Sequence, residues 1–119
     1  MQSYKELVVW KKSIQLVISI YDIVKMFPKE EMYGLSSQIK RAAVSVPSNI
    51  AEGHDRNSDK EFCQFLCIAR GSLAELETQL IIASKLEYLN EISINEILRD
   101  CDEIGKMLNA LIKKIKTDS

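Results

Sequence analysis

Glycine and proline are scarce in this chain of 119 residues, with 4 and 2 copies. An all-β domain built on many tight turns needs more of both, so that class is excluded. Aromatic residues make up only 7% and there is a single histidine, His54. One histidine cannot supply the paired Glu-x-x-His motifs of a di-iron bundle. It has no Cys or His neighbours in sequence to build a zinc site with it. The three cysteines, Cys63, Cys67 and Cys101, cannot all pair within one chain, and Cys63 and Cys67 lack the Cys-x-x-Cys spacing of a redox or zinc motif. They read as reduced, partly buried small hydrophobes of a cytoplasmic protein. No apolar run approaches the ~20 residues that span a bilayer, and the N-terminus meets charge too early for a signal peptide. No Gly-rich phosphate loop is present, since Gly53 and Gly71 stand alone. No nucleophile elbow or carboxylate pair supports an enzyme, and no catalytic residue, metal or cofactor is implied. Charge of one sign is also missing: 17 acids and 16 Lys and Arg leave a net charge of −1.

What is present is helical periodicity over one domain, residues 1–119. Leu7, Trp10, Ile14, Val17, Tyr21 and Val24 form an apolar stripe on a first helix over Lys5 to Phe27, which Pro28 ends. Leu35, Ile39, Ala42, Val46 and Ile50 mark a second helix that stops at Gly53. Pro47 lies inside it and predicts a kink over Val44 to Pro47. Ser58 and Glu61 form a capping box for a third helix reaching about Tyr88, with Phe62, Leu66, Ala69, Leu73, Leu76, Leu80 and Ala83 on its core face. Gly71 in its middle predicts a close helix contact. Ser93 and Glu96 predict the cap of a fourth helix, whose stripe is Ile97, Cys101, Ile104, Leu108, Leu111 and Ile115. Lys113, Lys114 and Lys116 suit its C-terminal dipole. The fold expected is an antiparallel up-down-up-down four-helix bundle.

Helix 1 carries a second stripe of Val9, Leu16, Ile20, Ile23 and Phe27, and Ile82, Leu86 and Leu89 add a partial one late in helix 3. A broad core face and a homo-oligomer interface both account for them; the interface is the expectation taken here. Lys11, Lys12, Lys40, Arg41, Arg56 and Arg70 are candidate phosphate contacts, against the alternative that they pair with neighbouring acids.

Val44-Ser45-Val46-Pro47-Ser48-Asn49-Ile50-Ala51-Glu52-Gly53 resembles the S-[IV]-P-x-N-[IL]-A-E-G signature of the bacterial four-helix-bundle proteins, also called 23S rRNA intervening-sequence proteins. Gln38-Ile39 and Arg41 before it, and Gly71-Ser72-Leu73 and Glu75 to Leu80 after it, extend the match, as do Val9-Trp10 and Glu31. The resemblance implies an all-α protein with homopentameric members. A similar protein, the accessory factor of diversity-generating retroelements, binds nucleic acid and reverse transcriptase as a basic pentamer; this chain departs in being slightly acidic. The function expected is a non-enzymatic homo-oligomeric interaction module for RNA or another nucleic acid, with a purely protein-binding scaffold as the alternative. Pro47, Asn49, Glu52, Gly53, Gly71, Ser72 and Glu75 read as structural members of the motif. Asn49 is expected to answer the Ala43 carbonyl freed by Pro47, and Glu52 to pair with Arg41 or Arg56.

Overall fold

The computed structural model describes residues 3–118. A 3-10 turn at Tyr4–Glu6 leads into four helices: α1 Val8–Val24, α2 Leu35–His54, α3 Asp59–Lys85 and α4 Glu91–Asp118. The links are short compared with helices of roughly 25–40 Å, so sequential helices run antiparallel. Each packs on its chain neighbours, and α1 against α4 closes the ring. The result is an up-down-up-down four-helix bundle measuring 46 × 24 × 20 Å. Its buried apolar side chains form one contiguous cluster drawn from all four helices.

Local chemistry sets the helix ends. Leu7 is extended, which separates the first turn from α1 and shortens the single helix expected from Lys5 to Phe27. Glu31 joins three elements. Its Oε1 accepts the first-turn N–H of Leu35 at 3.1 Å, and its Oε2 accepts the Tyr88 hydroxyl at 2.9 Å. Ser58 caps α3 by accepting from Glu61 N–H at 3.1 Å. The α4 cap is Asn90, whose Oδ1 accepts from Ser93 N–H at 2.8 Å, so Ser93 is inside the helix instead of at its start. At the end of α3, Tyr88 N–H bonds Ala83 O and Glu87 N–H bonds Ser84 O, each at 2.9 Å. That pair of bonds is a Schellman motif. Its left-handed position is held by Glu87, at φ 65°, where glycine is the usual occupant.

The two stripes of α1 exchange the roles expected of them. Val9, Leu16, Ile20, Val24 and Phe27 are buried in the core of one chain, as is Leu89. They are therefore not a free oligomer surface. Ser13 interrupts this stripe in sequence but not in space: it is fully buried, and its hydroxyl donates to Val9 O at 2.7 Å. Trp10, Ile14 and Val17 are half-buried on the outer α1–α2 face, and Ile23 is half-buried against the core. Ile82 and Leu86 remain exposed, at 45% and 51%.

Helix α2 runs continuously through Pro47 to His54. Gly53 does not end it. A Cβ there would meet Phe65 of α3, so its smallness serves packing. Gly71 makes no close approach: a Cβ built on it meets nothing within 4 Å.

Candidate functional site

Gln38, Arg41, Ser45, Asn49 and Glu52 recur at spacings of three and four, which places them along one side of α2. That side borders α3. Ser45 Oγ and Ser72 Oγ share a hydrogen bond of 2.7 Å across the seam. The Asn49 carboxamide donates to Ser45 O at 2.8 Å and to Ser45 Oγ at 2.9 Å. Because Ser45 Oγ accepts from Asn49, its own proton is free to point at Ser72. Asn49 thus serves the helix turn at Ser45, not the Ala43 carbonyl. Glu52 pairs with Arg56 at 3.3 Å, and Arg56 lies over the Phe65 ring at 4.9 Å from its centroid.

Arg41 is left facing something else. Gln38, Arg41, Ala42 and Ser45 from α2 line a cleft of about 460 Å³ with Glu75 and Gln79 from α3. Arg41 and Glu75 are both exposed, and among the described residues no ion pair joins them. Gln79 is buried, and its Oε1 has no hydrogen-bond partner. Most of the polar residues that carry the family resemblance converge on this seam. Sequence reading placed Arg41 and Glu75 in separate groups and gave Gln38 and Gln79 no site role. The signal for the α2 half is an unbroken polar stripe beside the apolar one; only the packing of α3 on α2 brings Glu75 and Gln79 to it.

The basic residues are not brought together. Lys12 crosses to Glu103 of α4 at 2.9 Å. Lys40 covers the Tyr21 ring of α1 at 4.9 Å. Arg41 and Arg56 lie along the α2–α3 seam, and Arg70 donates to Asn109 of α4 at 2.9 Å. These residues occupy four different seams, while Lys11 is exposed on α1. His54 meets Phe62 edge-on at 5.5 Å, and its Nδ1 has no hydrogen-bond partner. Among the described residues no group of three or more His, Cys, Asp or Glu is placed to hold a metal ion, and no helix is long and apolar enough to cross a membrane.

The family model for the 23S rRNA-intervening sequence protein matches residues 5–110. The chain belongs to this family. A solved structure, described as a protein of unknown function from the S23 ribosomal protein family of Bacteroides thetaiotaomicron, superposes with a TM-score of 0.83 at 30% identity. The alignment covers 89% of this chain and 99% of that one. Comparison with proteins of curated function found no match.

Proposed function

We propose that the chain is a non-enzymatic cytoplasmic helical-bundle module that works by association, first with further copies of itself, as a homopentamer. The observation carrying this reading is apolar surface left outside the core at one end of the bundle. Ile82 and Leu86 of α3 are joined there by Met32, Tyr33 and Ile92, exposed at 56%, 93% and 71%. The Tyr88–Glu31 hydrogen bond ties the α1–α2 link to the α3–α4 link, so these side chains share that end. Exposed apolar side chains gathered at one end of a bundle are the kind of surface that serves association.

Light scattering is expected to give five times the chain mass. Ile82→Lys with Leu86→Lys should dissociate the assembly with helical content unchanged, because both positions are outside the core. Ile20→Lys should unfold the chain, because Ile20 is fully buried. A monomeric unmodified protein defeats the reading.

RNA or another nucleic acid is the ligand class that the resemblance supports. In one chain the bases are spread over separate seams, so phosphate contacts would be gathered by symmetry. Gel retention at low salt that is lost in the monomeric variant supports this ligand. Absence of retention leaves the protein-binding scaffold.

A further inference from the structure

We propose that the cleft between Arg41 and Glu75 binds a small zwitterion of the α-amino-acid class. The site lies within one chain, so it goes beyond the self-association reading and does not depend on it.

Size and lining come first. About 460 Å³ is at the small end of ligand sites, which span roughly 300–1,000 Å³. Most such sites are largely apolar. Here the cleft carries a guanidinium from α2, a carboxylate from α3 and two carboxamides. Opposite charges that line one cleft without pairing leave room for a molecule carrying both signs. Gln79 adds a constraint. It is only 8% exposed, and its carboxamide oxygen is enclosed without a donor. Turning the amide over merely exchanges which polar atom is enclosed. The oxygen is shut off from solvent, so Gln79 lines the cleft without presenting that atom to a ligand.

Other ligand classes fit less well. A phosphate or sulfate would meet Glu75. A divalent cation would find one carboxylate and a repelling Arg41, where hard cations take six or more oxygen ligands. A nucleobase would find no aromatic platform, because no aromatic side chain lines the cleft. The Ser45 hydroxyl is committed to Ser72 and Asn49. An α-amino acid meets each demand. Its carboxylate takes the paired N–H groups of Arg41, with Gln38 one turn away on the same helix. Its ammonium donates to the exposed Glu75 carboxylate. Recognition rests on the ligand's α-carboxylate and α-ammonium groups.

Ligand-observed NMR of the purified protein against each of the twenty common α-amino acids, at millimolar concentration, tests this. Binding of at least one is expected. Its N-acetyl and α-amide derivatives, each lacking one charge, should bind about tenfold more weakly or worse. Arg41→Gln and Glu75→Gln should each produce a similar loss with unchanged thermal melting. Lys40→Gln, next in sequence but turned toward Tyr21, should leave binding intact. The double variant at Ile82 and Leu86 should also bind normally, which separates this site from self-association. Absence of binding by any amino acid overturns the proposal. So does equal binding of the blocked derivatives or indifference to both cleft substitutions.

Discussion

A Cβ atom built on Gly53 would stand 2.5 Å from the Cβ of Phe65, with Phe62 at 3.2 Å beside it. Two helices meet there at a distance only glycine permits. Alanine at this position gains about 1 kcal/mol of helix propensity. The overpacking it forces costs about 1–3 kcal/mol, because Phe65 is itself held under Arg56. Gly53→Ala is expected to lower the urea midpoint with an unchanged slope. A raised midpoint would show that the aromatic pair yields freely.

Glu87 predicts the opposite outcome. Its φ of 65° is strained for any side chain and easy for glycine. Glu87→Gly should stabilise the protein by about 0.5–1 kcal/mol, the relief of strain exceeding the extra entropy of the unfolded chain. Thermal unfolding measures it, and a lower melting temperature counts against the left-handed cap.

The cysteines should separate by reactivity. Burial pushes the Cys101 thiol up to about 12, and the carboxylates of Glu77 and Asp100 push the same way. Alkylation proceeds through the thiolate. Iodoacetamide at mildly alkaline pH should add two labels to the native chain, at Cys63 and Cys67, which are only partly buried. The third should require denaturant. Intact-mass spectra showing three labels under native conditions contradict this.

Glu77 gives a pH dependence of known sign. Burial raises its carboxyl above 4.5, and Asp102 adds to the effect. The native state then holds the proton more tightly than the unfolded chain, so this group's contribution to stability falls as pH rises through that window. The deficit is complete above the native value and absent below 4.5. Glu77→Gln should therefore raise the melting temperature at neutral pH and have little effect near pH 4. An equal gain at both pH values would assign the effect to packing.

Helix count, order and most core positions of α2, α3 and α4 were legible in the sequence, because a period near 3.6 with Pro28 and Ser58 as punctuation leaves few alternatives. Four features were not. Ser13 hid the true core stripe of α1, since a hydroxyl that bonds its own helix is as buriable as an alanine yet reads as polar. The end of α3 carries no glycine, so the sequence runs the helix on to about Tyr88, past its end at Lys85, and hides the left-handed cap at Glu87. Gln79 looked like one more surface amide, and only the pairing of α2 with α3 shows it enclosed. The motif Pro47-Ser48-Asn49 announced a special place on α2, but spacing alone does not say which carbonyl an Asn side chain reaches.

The ring of helices has unequal joints. The α2–α3 seam is the most extensive, and only residues 55–58 separate its two members. The α1–α4 seam unites segments at opposite ends of the sequence. Closing a short loop costs less chain entropy than closing a long one. The hairpin of α2 and α3 should therefore form early during refolding, with α1 and α4 docking onto it later. Amide exchange in the native protein should follow the same hierarchy. Protection should be deepest around Ala43 to Ile50 and Leu66 to Leu80, and α1 should open first without the rest of the bundle unfolding.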